Sequence, residues 1–322
     1  MINILKRLVQ SSDRLHAAAM SAYMAGLFRP HAKARARAAG KTCKFSDAAI
    51  EIIHEDRLIR LDKKHSVYAF DLIENFDFFF NAVNPVFNQG RYIVDYSVPA
   101  LHHVKGYDLH PILFPSIAEP VKTTGQYLAF ANLQEGSVAI DLGAYSGLTS
   151  ILFRQRCGRD GKVIAVEADA NNVHAARTNF EAYKRETGRH IDLLEGAIWE
   201  HNDGIAFSSE GSMGSSAASF IGDRMGDGST LVPSYTLNTL ADLFSLTRVD
   251  FIKCDIEGAE NVIFRDDEFF KRFRPRIIVE VHPIKGRMTT EAVQSALSKA
   301  DYNVRVVQQK GMDLPLLECW SR

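Results

Sequence analysis

The chain has 322 residues, 46% of them hydrophobic, and carries a formal net charge of −1 at pH 7. This length and composition suit one large domain or two ordinary ones with a sizeable core, and the near-neutral charge gives no global sign of a nucleic-acid partner. The four cysteines lie far apart without a CxxC pair, which argues against a zinc site or a disulfide framework and fits a reducing compartment.

The first 45 residues are predicted to form a basic helical segment. Residues 1–44 contain nine lysines and arginines but only one acid, Asp13. Because the longest uncharged stretch, residues 16–28, is too short to span a bilayer and no signal-peptide pattern is present, we expect a cytoplasmic protein. The segment could form an amphipathic helix that rests on an anionic membrane surface or partner, or a helix that packs on the protein itself. The sequence favours the second interpretation.

Residues 46–124 are predicted to form an α+β cap. Two strand-like runs, residues 50–53 and 58–61, flank a polar turn and predict a hairpin. A densely aromatic stretch over residues 70–80 and five prolines within residues 85–120 follow. This irregular pattern differs from that of a Rossmann half.

From residue 125 onward, strand and helix patterns alternate along the chain. Helices with one apolar face separate five apolar runs typical of buried parallel strands, residues 138–142, 163–166, 191–198, 249–254 and 277–282. Residues 304–307 and 314–317 predict a closing hairpin. This order predicts an α/β fold with a doubly wound, mostly parallel sheet over residues 125–322.

The turn after the first of these strands carries a D-x-G-x-x-x-G pattern formed by Asp141, Gly143 and Gly147. Ligands of open α/β sheets bind beyond the carboxyl ends of the strands, where this turn falls. The acid would repel the pyrophosphate that a G-x-G-x-x-G turn binds, and the glycines would let the backbone approach a ligand. Glu167 ends the next strand, where a carboxylate can accept both ribose hydroxyls. The two acids together favour S-adenosylmethionine as the bound nucleoside.

Acids and a histidine follow the later strands. Asp255 and Glu257 emerge at one strand end, and Glu260 follows at a helix start, where the helix dipole alone explains an acid. Glu280 and His282 alternate on the next strand and therefore project to one face. We expect Asp255, Glu257, Glu280 and His282 to form the catalytic group. This group could remove a proton or, through Asp255, Glu280 and His282, hold Mg²⁺ or another divalent cation.

These motifs resemble the FkbM family of S-adenosylmethionine-dependent methyltransferases over roughly residues 90–285, most specifically at residues 252–260. The resemblance implies a class I, Rossmann-like fold with a seven-stranded sheet. It implies that the turn after the first strand lines the methionine side of the cofactor, that Glu167 holds the ribose, and that residues 196–198 approach the adenine. The predicted cofactor-binding residues are Asp141, Gly143, Ala144, Tyr145, Ser146, Gly147, Glu167, Ala168, Gly196, Ala197 and Ile198.

Family members O-methylate sugars or hydroxyls of natural products, so the resemblance implies O-methylation of a hydroxyl on a sugar, glycolipid or natural product. We expect a small-molecule or glycan acceptor and no nucleic acid, and the chain could form a homodimer. Two alternatives stay open. One is a nicotinamide-dependent oxidoreductase, and the other is a non-catalytic binding protein on a methyltransferase fold.

Substrate choice is predicted to lie in the first 90 residues and in the loop at residues 208–229. A cluster that could reach the acceptor is formed by His102, His103, Tyr107 and His110. Tyr145 departs from the family's pattern and could shield the sulfonium of the cofactor.

Overall fold

The computed structural model describes residues 26–208, 216–217, 229–257, 259–265, 267–284, 287–310 and 314–322. The helices are α1 (Phe28–Ala38), a 3-10 helix (Lys63–Tyr68), α2 (Ala69–Glu74), α3 (Phe76–Phe80), α4 (Val121–Ala131), α5 (Leu148–Arg156), α6 (Ala170–Thr187), α7 (Leu237–Leu243), α8 (Glu260–Ile263), α9 (Glu268–Phe273) and α10 (Thr290–Lys299).

The strands are β1 (Thr42–Phe45), β2 (Ala49–His54), β3 (Arg57–Asp62), β4 (Val86–Asn88), β5 (Arg91–Tyr96), β6 (Ala100–His102), β7 (Ile112–Phe114), β8 (Val138–Leu142), β9 (Lys162–Glu167), β10 (Asp192–Glu195), β11 (Ala197–Ile198), β12 (Ile205–Ser208), β13 (Ser216–Ala217), β14 (Ser229–Val232), β15 (Ser234–Tyr235), β16 (Phe251–Cys254), β17 (Arg276–Glu280), β18 (Pro283–Ile284), β19 (Arg287–Met288), β20 (Tyr302–Gln308) and β21 (Pro315–Ser321). Two larger sheets, one in each half of the chain, organise the fold.

The N-terminal sheet has five strands in the order β1-β2-β3-β5-β4. The predicted hairpin is confirmed, because β2 and β3 pair antiparallel across a short turn. Glu55 makes this turn possible by adopting a left-handed backbone with φ 57°. The aromatic stretch folds into α2 and α3, and its Phe76, Phe78, Phe79 and Phe80 are buried.

The C-terminal sheet has seven strands in the order β10-β9-β8-β16-β17-β21-β20. Its first five strands are parallel, whereas β21 pairs antiparallel with both of its neighbours. The chain extends the sheet from β8 first through β9 and β10, and later in the opposite direction through β16 and β17. This order confirms the predicted doubly wound, mostly parallel sheet, and a ligand is expected at the switch point between β8 and β16.

The two faces of the large sheet belong to different hydrophobic cores. Phe251 contributes to the core that also contains Ile50 and Phe79 of the N-terminal part. Its neighbour Ile252 packs in the second core, together with Leu297 of α10. Because alternate strand residues project to opposite faces, the N-terminal part covers one face of the large sheet and brings its own residues towards the strand ends.

The predicted strand over residues 191–198 needs a correction, because the chain leaves the large sheet at Gly196. β10 stays in that sheet, but β11 pairs with β15 in a separate two-stranded sheet. The N–H of Gly196 still donates to the Glu167 carbonyl (2.9 Å), whereas the N–H of Ala197 donates to the Pro233 carbonyl (2.9 Å). The change of hydrogen-bond partner leaves this turn beside Glu167 at the carboxyl edge of the sheet.

Helix α1 packs on the protein itself. Phe28, Ala32 and Ala36 are buried along one face, and its basic side chains are exposed. Residues 1–25 of the predicted basic helical segment lie outside the described residues, and residues 42–45 at its end form β1 instead of a helix. Residues 209–215 and 218–228 of the predicted substrate loop also lie outside the described residues. Within the described parts of the chain, no helix is both long and apolar enough to cross a bilayer.

Candidate active site

A cleft lies at the carboxyl ends of β8, β9 and β16. The described residues that line it are Glu119, Gly143, Tyr145, Val166, Glu167, Ala168, Asn172, Gly196, Ala197, Ile198, Trp199, Ile205, Phe207, Lys253, Asp255, Ile256, Glu257 and Ala259. Many of the predicted site residues are in this set. The predicted residues that do not belong to the lining are Asp141, Ala144, Ser146, Gly147, Glu280 and His282.

Asp141 is buried behind the cleft in an ion pair with Lys253. The parallel register places Lys253 directly opposite Asp141, and Lys253 Nζ lies 3.2 Å from Asp141 Oδ1. Ser150 Oγ donates to the other oxygen of Asp141 (2.6 Å). Lys253 also donates to the Gly143 carbonyl (2.6 Å) and lies 3.5 Å from Asp255 Oδ2. Burial alone would lower the pKa of Lys253, but these carboxylates outweigh burial and raise it.

The glycines of the turn are required by contacts within the protein. Gly143 has φ 77° and Gly147 has φ 81°, both in the left-handed region that favours glycine. A Cβ on Gly143 would lie 1.8 Å from the Asp255 carbonyl oxygen, and one on Gly147 would lie 2.4 Å from the Phe180 ring. The sequence-based explanation, in which the missing Cβ makes room for a ligand, therefore needs correction, because protein atoms occupy that space.

Tyr145 joins the turn to the end of β9 and to the N-terminal part. Its N–H donates to Glu167 Oε2 (2.8 Å), and its backbone is left-handed with φ 50°. Its buried hydroxyl donates to the Ile117 carbonyl (2.9 Å) and accepts from the Ser116 N–H (3.1 Å). This side chain therefore fixes the turn against residues 116–117, and the predicted role of a sulfonium shield is not supported by its contacts.

Glu167 organises the loop that follows β9. Its Oε1 accepts from the N–H groups of Ala168 and Asp169 (2.9 Å each), and its Oε2 accepts from Tyr145. Burial raises the pKa of Glu167 to about 7, although these hydrogen bonds favour the ionised form. A carboxylate has about four acceptor positions, so Glu167 can also accept hydrogen bonds from a ligand in the cleft.

Glu119 is a cleft residue that the sequence analysis missed. Its carboxylate accepts hydrogen bonds from Ser146 Oγ and from Thr149 Oγ1 (3.0 Å) at the start of α5. Burial raises the pKa of Glu119 to about 7, and the hydrogen bond from Ser146 and the charge of Lys253 oppose this rise only in part. No motif surrounds Glu119 in the sequence, so no local signal marked it.

His282 lies among four carboxylates and joins all of the predicted catalytic residues. Its Nε2 lies 3.4 Å from Glu257 Oε1, 3.5 Å from Glu280 Oε1 and 3.7 Å from Asp255 Oδ1. Its Nδ1 lies 2.7 Å from Glu260 Oε1. Burial alone would lower the pKa of His282, but the surrounding carboxylates raise it well above its ordinary value.

Glu260 was expected to serve the helix dipole alone, and the structure corrects this expectation. Glu260 opens α8, but its side chain is fully buried against His282. Glu257 precedes the helix with a left-handed φ of 50°, so the two acids do not share a helix face. The burial of Glu260 and its contact with His282 are visible only in the structure, because the sequence shows just an acid at a helix start.

The acids around His282 differ in their protonation. Burial raises the pKa of Asp255 to about 6 and that of Glu257 to about 8. Burial also acts on Glu280, but hydrogen bonds and the charge of His282 outweigh it and lower the Glu280 pKa. The pKa values of Asp255 and Glu257 are therefore raised, whereas that of Glu280 is lowered.

Glu280 is held in place by one residue of α4 and by the residue that follows β20. Tyr127 Oη donates to Glu280 Oε2 (2.9 Å), and Gln309 Nε2 donates to the same oxygen (3.1 Å). These bonds leave Oε1 to face His282. Neither Tyr127 nor Gln309 was predicted as part of the site.

The predicted acceptor-binding cluster does not belong to the described lining of the cleft. His110 Nδ1 lies 3.2 Å from Glu186 Oε2, on the outer part of α6. His102 packs between the rings of Tyr96 and Phe114, with centroid separations of 5.5 and 6.2 Å. These contacts give His102 a packing role and His110 an acidic partner on α6, and the expectation that they reach the acceptor is not supported.

The cleft suits a cationic nucleoside. Glu167 offers hydroxyl acceptors, and Ile198, Ile205 and Phe207 form an apolar wall beside it. The described lining residues include one lysine, Lys253, but four acidic residues, which are Glu119, Glu167, Asp255 and Glu257. At the other end, Asp255, Glu280 and His282 each offer one ligand atom, all within 4.8 Å of one another, as a divalent cation requires.

Comparison with known proteins identifies a family for this part of the chain. The model of a family described as "Methyltransferase FkbM domain" matches residues 141–304, about half of the chain. A search of curated protein sequences finds no match.

Solved structures with similar folds include several methyltransferases. The FkbM methyltransferase of Methylobacillus flagellatus KT shares 16% identity over 61% of this chain and 50% of its own, with a TM-score of 0.42. Precorrin-6y C5,15-methyltransferase of Geobacter metallireducens GS-15 shares 17% identity over 62% of this chain and 87% of its own (TM-score 0.39). The O-methyltransferase of Bacillus cereus in complex with SAH shares 14% identity over 63% and 82% (TM-score 0.39).

Proposed function

Because the chain belongs to the FkbM methyltransferase family, we propose that it transfers a methyl group from S-adenosylmethionine to a hydroxyl oxygen of a sugar, glycolipid or natural product. Family membership also removes the support for a nicotinamide-dependent oxidoreductase. The observation that carries the choice of a hydroxyl acceptor is Asp255, a carboxylate that lines the cleft and lies between the nitrogens of Lys253 and His282.

The described residues fit the cofactor. Glu167 would accept from the ribose hydroxyls, and Ile198 with its apolar neighbours would contact the adenine. When bound, the cofactor supplies a methyl group on a positively charged sulfur, and an acidic cleft favours such a cation. The turn that Tyr145 and Lys253 hold in place would position the donor, and positioning can contribute up to ~7–11 kcal/mol to catalysis.

Asp255 is the proposed proton acceptor. A hydroxyl stays protonated at neutral pH, so its attack on a methyl group benefits from a base within hydrogen-bond reach. Burial and the neighbouring Glu280 raise the pKa of Asp255 above its ordinary value, which makes its carboxylate a better proton acceptor. Lys253 and His282 flank its two oxygens and stabilise the ionised form. His282 itself is a poor proton acceptor, because its raised pKa keeps it protonated.

A divalent cation at Asp255, Glu280 and His282 is a second proposal for the same cluster. The separations of 3.5 and 3.7 Å between His282 Nε2 and the two carboxylate oxygens are too long for good hydrogen bonds but suit donor atoms that share one ion. Glu260 at Nδ1 would orient the imidazole, as acids behind metal-binding histidines do. The ion would replace the histidine proton and polarise an acceptor hydroxyl.

The test is a transfer assay with methyl-labelled S-adenosylmethionine and a panel of hydroxyl-bearing glycans, lipids and natural products. We expect label on oxygen, identified by mass spectrometry of the product. Asp255→Asn should lower kcat by ~10²- to 10⁴-fold and retain binding of S-adenosylhomocysteine. The matched control is Asp203→Asn, whose side chain is 91% exposed and should leave kcat unchanged. Label on nitrogen or carbon, or full activity of Asp255→Asn, would contradict the proposal.

A further inference from the structure

The acid that opens the D-x-G-x-x-x-G turn does not face the cleft. Asp141 is fully buried, and Lys253 and Ser150 contact its two carboxylate oxygens. Lys253 is also shared with Asp255. A cationic group of a ligand on this side of the cleft therefore needs a different acid.

Glu119 is in a position to be that acid. It lines the cleft and comes from the segment in which Ser116 and Ile117 hold the Tyr145 hydroxyl. Its carboxylate accepts from two hydroxyls, and no Lys, Arg or His nitrogen of the described residues lies within 4.0 Å of it. Hydroxyl donors orient a carboxylate without neutralising it, and a cationic group bound beside Glu119 would favour its ionised form over the protonated form that burial favours.

The relation between Glu119 and Glu167 indicates which part of the ligand each would contact. Glu167 binds the turn at the Tyr145 N–H, and Glu119 binds it at the next residue, Ser146. In S-adenosylmethionine the sulfur separates the ribose from an amino-acid tail. If Glu167 holds the ribose, a second acid on the same turn is placed for the tail. The tail carries an ammonium with three N–H donors, whereas a sulfonium has no hydrogen to donate to a carboxylate.

We propose that Glu119 binds the α-ammonium group of S-adenosylmethionine, an assignment that rests on the proposed function. The ammonium would supply a direct ion-pair partner, whereas Lys253, the positively charged neighbour of Glu119 among the described residues, lies more than 4.0 Å from its carboxylate. The N-terminal part would then contribute directly to the cofactor site, instead of serving the acceptor alone.

Three ligands that share adenosine but differ in charge test this assignment. S-adenosylmethionine carries a sulfonium and an ammonium, S-adenosylhomocysteine carries the ammonium without the sulfonium, and 5′-methylthioadenosine carries neither. Calorimetric titration should show that Glu119→Gln weakens binding of the first two by a similar factor, roughly ten- to a hundredfold, and leaves 5′-methylthioadenosine unchanged. Glu119→Asp keeps the charge and should retain part of the preference for ligands with a tail. Glu181→Gln, an exposed position on α6, should match the wild type.

Other results would overturn the assignment in recognisable ways. A loss confined to S-adenosylmethionine would indicate a contact with the sulfonium, and an equal loss for all three ligands would indicate a structural role of Glu119. Unchanged binding of all three would show that Glu119 contacts neither group. A wild-type protein that binds none of the ligands would contradict the proposed function as well. Thermal unfolding of each variant verifies folding, and Glu119→Asp provides the comparison if the glutamine variant is unstable.

Discussion

Lys253 Nζ lies 3.2 Å from Asp141 Oδ1, and both side chains are almost completely buried. Lys253 also donates to the Gly143 carbonyl, so a single ammonium joins β16 to the end of β8 and to the turn that follows it. Because Asp255 lies 3.5 Å from the same ammonium, the cofactor turn and the proposed proton acceptor share one positive charge. The position of the turn and the ionisation of Asp255 are therefore coupled through Lys253.

Lys253→Met should strongly destabilise the protein. The substitution keeps the volume of the side chain but leaves Asp141 as a buried, uncompensated charge, which costs about 3–5 kcal/mol. Urea denaturation measures this loss, and the double variant with Asp141→Asn should recover part of it. The control is Lys271→Met, which removes an exposed partner of Asp267 and should cost under ~1 kcal/mol. Equal losses in the free energy of unfolding for the two lysine substitutions would show that the buried ion pair stabilises the protein no more than the exposed one.

Glu167→Gln should weaken cofactor binding. In the wild type, backbone N–H groups donate to both oxygens of the Glu167 carboxylate. The glutamine amide keeps only one acceptor oxygen, and its NH₂ group would face an N–H donor. Losing a charged hydrogen-bond partner of this kind costs about 1.5–3 kcal/mol, or roughly ten- to a hundredfold in affinity. Calorimetry with adenosine and with 2′,3′-dideoxyadenosine separates the causes. A loss specific to adenosine supports the ribose contact, whereas equal losses would assign the effect to the loop.

The part of the site that follows strands could be predicted from the sequence. Glu167, Asp255 and His282 come directly after apolar runs, and the carboxyl ends of parallel strands converge at one edge. Lys253 was not predicted, although a lysine inside an apolar strand is a local signal of a buried partner. The hairpin at Glu55 was predictable, since two short apolar runs around a polar turn specify their own pairing.

The rest depends on contacts between distant parts of the chain. Glu119 reaches the site from the segment before α4, and Tyr127 reaches it because α4 packs against β16 and β17. Gln309 reaches Glu280 from the end of β20. No local period or motif encodes these contacts. The exit of the chain at Gly196 likewise depends on the distant Pro233 carbonyl, which offers the Ala197 N–H an alternative partner.

Glu119→Gln should stabilise the ligand-free protein at alkaline pH. The pKa of Glu119 is raised by burial from 4.5 to about 7, so its contribution to stability is complete below pH 4.5 and is lost as the pH rises to about 7. A glutamine imitates the protonated form and escapes this loss. We expect similar stability of variant and wild type near pH 4.5, and an advantage of the variant on the order of 1–3 kcal/mol at pH 8. Thermal denaturation at both pH values measures the difference in stability between the variant and the wild type. If this difference favours the variant less at pH 8 than at pH 4.5, the assigned pKa is contradicted.

Tyr127→Phe should lower turnover without affecting cofactor affinity. The substitution removes the hydroxyl that donates to Glu280 Oε2 and leaves Gln309 as the remaining donor. We expect a loss of stability of about 1 kcal/mol and a reduced kcat, because Glu280 is then less firmly held beside His282. The control is Tyr302→Phe, since the buried Tyr302 hydroxyl has no hydrogen-bond partner among the described residues. A change in S-adenosylhomocysteine affinity, or equal kcat values of the two variants, would contradict a positioning role.

Metal removal separates the two proposed states of the cluster around His282. If Asp255, Glu280 and His282 hold a divalent cation, exhaustive chelation should lower methyl transfer, and Mg²⁺ or Mn²⁺ should restore it.

Mn²⁺ titration monitored by electron paramagnetic resonance should then reveal one site that His282→Ala abolishes. Glu260→Gln should weaken this site by ~10- to 100-fold, because Glu260 orients the imidazole through Nδ1. His190→Ala, which alters an exposed histidine 3.2 Å from Asp192, is the matched control and should leave Mn²⁺ binding intact. Full activity after chelation, with no bound Mn²⁺, would instead identify the protonated imidazole of His282 as the positive charge that holds the carboxylates together.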